Sequence, residues 1–202
     1  MPESNTGVPA REKGFPFLQR LKTVTAPQHE ALEAQPLLRV LMTPTISKEQ
    51  YRDYLLRMQK ITEAYEQAVI PLLNTPAPAR PLSGLIAEDL QWLSSADHLP
   101  SLPDFTFPQA ITLPFAWGFA YVMEGSKLGG RVIFKHLQRL LGLTEDAGGA
   151  YLANRGVDTG AGWKEFLQNL TTYTAAHHCE EEVLNGAIFG FTSIHHYFDA
   201  NV

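Results

Sequence analysis

With a single cysteine, Cys179, in 202 residues, the chain has no means of forming an internal disulfide. It also lacks any run of Lys or Arg, and its net charge is -5, so nothing attracts nucleic acid or anionic membranes in general. No stretch approaches the roughly 18 to 20 uninterrupted apolar residues of a membrane span. The opening "MPESNTGVPAREKG" has no apolar core of the kind a secretory signal needs, and residues 1–14 are expected to be a flexible tail. These absences together fit a reducing cytoplasm. Strand signals are almost missing as well. What the chain does have is 45% apolar content, enough for one domain with a full hydrophobic core over residues 15–202.

Helical periodicity dominates. "ISKEQYRDYLLRMQKITEAYEQAVIPLL" places Tyr51, Tyr54, Leu55, Met58, Ile61 and Tyr65 at three- and four-residue spacing, with "SKEQ" as a capping box before them. The helix should end near Pro71, and "LNTPAPARPLSG" cannot continue it. A shorter helix is expected around "SGLIAEDLQWLSS" and a long one over 112–141, followed by loop through "GLTEDAGGAYLANRGVDTGAG". Residues 163–198 return to helical spacing, with a break expected near Gly186 or Gly190. No repeat is visible, and five to seven helices joined by loops make an all-α packed domain.

Two segments carry chemistry. In "FLQRLKTVTAPQHEALEAQPLLRVL", Leu18, Leu21 or Lys22, Thr25, His29 and Leu32 fall along one stripe, which predicts that His29 faces the core and needs a partner. That partner is either a hydrogen-bonding neighbour or a metal. Thr25 and Gln28 could cap a helix with Pro27 in its first turn, so the helix either starts there or kinks there. Glu33 lies one turn beyond His29.

The second segment is "YVMEGSKLGG", which puts three glycines into an otherwise helical stretch at a cost of about 1 kcal/mol each. Gly118, Gly125 and Gly129 fall on one helical face, with Ser126 and Gly130 beside them. Such a bare face serves either close helix packing or a flat ligand that approaches the backbone. A planar macrocycle suits it, with His29 as an axial ligand from the other side and Ser126 within reach of a bound diatomic.

"LKTVTAPQHEALE" and "YVMEGSKLGG", about ninety residues apart, together resemble the heme oxygenase family in its bacterial, biliverdin-producing branch. The resemblance implies a single-domain multi-helix fold with heme between a proximal helix and a glycine-rich distal helix. It implies oxidative cleavage of heme to biliverdin, carbon monoxide and ferrous iron, with O2 and electrons from a separate protein of ferredoxin or flavin reductase type. No flavin or nicotinamide fingerprint occurs in this chain.

By the same resemblance His29 ligates iron, Glu33 tunes it as a hydrogen-bond acceptor, and Lys22 and Tyr121 seat the propionates. Thr25 belongs to the proximal pattern, and Gly130 and Arg131 to the distal one. Gly125, Ser126 and Gly129 lie over the heme, steering oxygen and water. Two departures from the animal pattern stand out. Ser126 replaces an aspartate that organises distal water, and the later helix "LQNLTTYTAAHHCEEE" offers no Lys or Arg for the propionates. Lys22, Lys127, Arg131 and Lys135 remain as candidates.

"HHCEEE" reads as a solvated helix face, and Cys179 has no arrangement that would activate it as a nucleophile. "HHYF" is expected to pack the last helix with one histidine outward, and Trp117, Phe119, Phe189 and Phe191 read first as core. Two alternatives to the oxygenase are a heme-binding protein of the same fold that leaves heme intact, and a helical oxidase with a carboxylate-bridged metal pair. The latter needs Glu63, Glu66, His177, His178 and Glu181 to converge and lacks the usual Glu-x-x-His spacing.

Overall fold

The capping box expected before the first strongly amphipathic helix is present: Gln50 N–H donates to Ser47 Oγ, and Ser47 N–H to Gln50 Oε1. The computed structural model in which it is seen describes residues 16–73, 81–93, 102–108 and 110–199. The tail expected over 1–14 lies outside the described residues. Among those described, the chain forms α1 (Pro16–Glu33), α2 (Pro36–Val40), α3 (Lys48–Ala68), α4 (Ile70–Leu73) and α5 (Leu82–Leu93). After these come α6 (Leu113–Leu141), α7 (Ala150–Ala153), α8 (Thr159–His177) and α9 (Glu180–Asp199). The described residues contain no strand, only isolated bridges that close a turn at Thr144. None of the described helices is long and apolar enough to cross a membrane.

One continuous apolar cluster draws residues from α1 through α9. Leu21 of α1, Tyr51, Leu55 and Ile61 of α3, Phe119 and Leu137 of α6, and Val183 and Ala187 of α9 are all fully enclosed. Phe107 meets Phe119 edge-on at 4.7 Å, the favoured geometry for two quadrupoles. The closest helix pair is α6 with α9. A Cβ built on Gly118 would stand 2.0 Å from Val183 O, one on Gly186 2.1 Å from Phe115 O, and one on Gly190 2.9 Å from Val122 Cγ2. The two backbones meet where side chains are missing from both.

Three local expectations are corrected. The helix does not start at Pro27: α1 runs from Pro16 to Glu33 with Pro27 inside it, and Thr25 donates its hydroxyl to Leu21 O at 2.8 Å instead of capping. Residues 163–198 break neither at Gly186 nor at Gly190. The chain reverses at His178, which adopts a left-handed conformation with φ 50°, and both glycines lie inside α9 as packing surfaces. The segment read as loop after α6 contains the one-turn α7 and the start of α8, which Asp158 caps through the N–H groups of Gly160 and Ala161. The end of α6 at Gly142, with φ 72°, is as expected of a glycine stop.

Asp89 of α5 is 1% exposed, and its two carboxylate oxygens accept the N–H groups of Ala150 and Tyr151, each at 2.9 Å. Burial pushes its carboxyl up to about 6, against the two backbone bonds and Arg155, which pull it down; Glu88 adds to the rise, and Tyr51 of α3 faces the same charge. A pKa raised on folding favours the protonated form. The resulting stabilisation is complete below about pH 4 and is lost as pH rises through about 6, roughly 3 kcal/mol in all. Urea denaturation of wild type and Asp89→Asn at pH 4.5 and pH 7 checks this. The wild type should lose stability relative to the variant as pH rises, and a constant difference would refute the assignment.

Candidate functional site

His29 does not face the core. Its side chain is 53% exposed, whereas Leu21 and Thr25 take the buried positions of α1 at 0% and 2%. The reason is the drift of an i, i+4 stripe, which turns about 40° per step, so His29 has rotated about 80° from Leu21 and reaches the edge of the contact. Its ring lies edge-on to Phe191 of α9, with centroids 5.4 Å apart. Nδ1 is 3.7 Å from a carboxylate oxygen of Glu33, too long for a direct hydrogen bond and suited to one relayed by water. Among the described residues no hydrogen bond occupies Nε2. Lys22 is exposed and has no ion pair among the described residues.

Gly118 is not part of the bare face expected of it, because α9 covers it. One face of α6 therefore meets three environments in succession. Gly118 touches the backbone of α9. At Gly125 an added Cβ would meet the Trp163 ring at 3.5 Å, and at Gly129 it would meet nothing within 4 Å. Gly130 is turned inward instead, with Leu152 O 3.3 Å from its Cβ position. Ser126 donates its hydroxyl to Met123 O at 2.7 Å, so only its lone pairs remain for another group. Tyr121 is half-buried beside Trp163, 5.4 Å between ring centroids, and burial raises its pKa.

Trp163 is the residue that sequence reasoning missed. It stacks on Phe166, which in turn reaches Trp117, so α8 lays an aromatic wall along the glycine segment. Nothing in "TGAGWKEF" marks it, since its position depends wholly on how α8 packs. Phe191, set first with the core, is both buried and in contact with His29.

The two candidate segments come together through α9. Phe191 touches His29 on α1, while its neighbour Gly190 packs against Val122 and Phe119 on α6. α9 therefore meets His29 and, one residue earlier, Val122, which lies three residues before Gly125 and seven before Gly129, and α8 also packs on both α1 and α6. A groove of about 270 Å³ between α1 and α9, lined by Gln28, Ala31, Phe191 and His195, opens beside them. Of the cations proposed for propionates, Lys127 is held by Glu124 at 2.6 and 2.7 Å, and Arg131 donates to Ala153 O at 2.6 Å. Lys22 and Lys135 are uncommitted among the described residues.

The carboxylates required for a metal pair do not converge. Glu66 accepts from Ser83, Glu63 from Gln59 and Glu181 from Arg20. Among the described residues no three His, Cys, Asp or Glu side chains are grouped to hold an ion. "HHCEEE" instead ties helices together, with Glu180 and Glu181 on Arg20 of α1 and Glu182 on Thr112. Burial raises the pKa of Cys179, in keeping with an inert thiol. His196 points outward and His195 is half-buried, as expected of "HHYF".

Comparison with known proteins bears on the family and the fold. The family model for heme oxygenase matches residues 108–200. Heme oxygenase PigA of Pseudomonas aeruginosa is 31% identical over 157 residues, covering 74% of this chain and 74% of that protein. Among solved structures, the heme oxygenase of Leptospira interrogans superposes with a TM-score of 0.69 at 16% identity, covering 92% of this chain and 99% of the other. The NO- and CO-bound heme oxygenase of Neisseria meningitidis gives 0.68 at 23%, covering 94% and 95%. Heme oxygenase-1 of the cyanobacterium Synechocystis, solved in complex with heme, gives 0.69 at 15%, covering 91% and 90%. The structural likenesses establish the all-α fold, and the extent and identity of the match to the Pseudomonas protein place this chain in the heme oxygenase family.

Proposed function

We propose that this chain binds heme between α1 and α6 and cleaves it oxidatively to biliverdin, carbon monoxide and ferrous iron, using O2 and electrons from a separate donor protein. What supports this reading is membership of the heme oxygenase family together with an exposed His29, Nε2 uncommitted among the described residues, and an open backbone at Gly129 on α6. Heme supplies the redox chemistry when bound, being both the cofactor and the substrate. The protein's share is to bind, orient and deliver protons.

His29 would offer Nε2 as the ligand, and Glu33, 3.7 Å from Nδ1, would fix that tautomer by accepting from Nδ1–H through a water. Gly129 lets the ligand approach the helix backbone, and Gly125 with the Trp163 ring restricts it from the side. Ser126, its proton committed to Met123 O, serves as an acceptor that orders water. Lys22, Thr25, Tyr121, Gly130 and Arg131 complete the proposed binding set in unequal ways. Lys22, exposed and uncommitted among the described residues, and Tyr121, beside Trp163, are the residues assigned to the propionates, whereas Thr25, Gly130 and Arg131 support the helices they sit on.

The test is an absorbance time course of the hemin-reconstituted protein given ascorbate or a ferredoxin reducing system in air. Loss of the Soret band with growth of a biliverdin band is the expected result. A Soret band that persists under those conditions would leave a heme-binding protein without the cleavage activity, and failure to bind hemin would remove both.

A further inference from the structure

We propose that Asp89, outside the heme site proposed above, is a positioning residue that fixes the heme-facing part of α6 by way of α7; this rests on that reading of the site. The path is a series of direct contacts. Asp89 sits on α5, fully enclosed, and grips the first two amides of α7 with one carboxylate oxygen each. A four-residue helix cannot persist on its own propensity, so α7 is held where its contacts hold it. Its far end meets α6. Leu152 O lies against Gly130, where even a Cβ would crowd it at 3.3 Å, and Ala153 O accepts from Arg131. Gly129, the residue with open space above it, is the chain neighbour of that contact.

The segment needs such a support. Gly125, Gly129 and Gly130 give this part of α6 the weakest intrinsic helix preference in the element and leave it few side chains for packing. Support from behind, on the side turned away from the open face, sets where the backbone stands without blocking that face. The link also demands two acceptors. Asparagine at position 89 keeps the shape but turns an N–H2 group toward one of the two amides, so one hydrogen bond becomes a clash of donors.

Asp89→Asn is therefore examined at pH 7 by two measures. The first is amide hydrogen exchange of the ligand-free protein. Exchange should quicken about tenfold over 124–132 and 148–155, the loss expected for one net hydrogen bond, while α3 and the α6–α9 contact keep their protection. The second is the distribution of biliverdin isomers together with kcat and KM. The isomer pattern should broaden and kcat should fall several-fold, with KM for heme little changed. Unaltered exchange over 124–132 overturns the proposal, and so does quickened exchange with an unaltered isomer pattern. If wild type does not cleave heme, the proposed activity fails, while the exchange measurement still decides whether Asp89 holds α6. Should Asp89→Asn not fold, Asp89→Glu is read by the same two measures, since it keeps both oxygens on a longer stem.

Discussion

His29→Ala is expected to abolish histidine coordination of hemin and to slow heme cleavage by two orders of magnitude or more, with no loss of fold. The side chain is 53% exposed and contributes one edge contact with Phe191, so its removal should change stability by no more than about 0.5 kcal/mol. Iron coordination has no comparable substitute nearby. Among the described residues of α1 no second histidine, cysteine or methionine is present to take its place. Hemin titration followed at the Soret band and by spin state checks the ligand, and added imidazole should restore both the spectrum and part of the turnover. Glu33→Gln should do less, about tenfold in affinity or rate, because it disturbs the far nitrogen of the ring and leaves the ligand in place. A His29→Ala protein with the wild-type spectrum and rate would remove the proximal assignment altogether.

Gly118→Ala and Gly129→Ala should move stability in opposite directions, although the two positions share a helical face. At Gly118 the new methyl would lie 2.0 Å from Val183 O and 2.7 Å from Ala187 N, both backbone atoms that no side-chain rotation can move aside. The helices must separate, at a cost of about 3 kcal/mol or more, and Gly186→Ala meets the same obstacle from α9. In a chain of this length that lowers the melting temperature by about 6 to 12 °C. At Gly129 nothing stands within 4 Å, so alanine adds helix preference, up to about 1 kcal/mol, and raises the melting temperature of the ligand-free protein. The same methyl would intrude where heme is proposed to lie, so turnover should fall as stability rises. Thermal melts of the three variants without hemin, followed by turnover assays, separate these effects. Equal melting of Gly118→Ala and Gly129→Ala would mean that the α6–α9 contact is looser than described.

The sequence makes some of this legible for definite reasons. α3 and its capping box, and the Gly142 stop of α6, follow from local rules in which the deciding atoms lie within one turn. The family is legible because the two segments that carry the resemblance, one with His29 and one with the glycines, form a pattern of residue types in order. The orientation of His29 is not, since a stripe that drifts about 40° per step leaves the last residue on either side of the boundary until the partner helix is known. The turn at His178 defeats a rule that looks for glycine at breaks, and Gly186 and Gly190 mislead for the same reason, their role being fixed by α6. Asp89 and Trp163 are hidden more deeply. In "IAEDLQWL" an aspartate reads as solvent-facing, and only the return of residues 150 and 151 to α5 explains its burial.

The naked contact between α6 and α9 has a mechanical consequence. Of the contacts that hold α6, the tightest is at Gly118, which stands eleven residues, about 16 Å, from Gly129. A tilt of about 5° there, too small to disturb the pivot, would carry the Gly129 backbone by about 1.4 Å at 1.5 Å of rise per residue. The two ends of the face thus differ in leverage as well as in surroundings. One is the pivot, where added bulk forces the helices apart; the other is the far arm, where a slight rotation would set the width of the proposed heme gap, with α7 beside it as a stop.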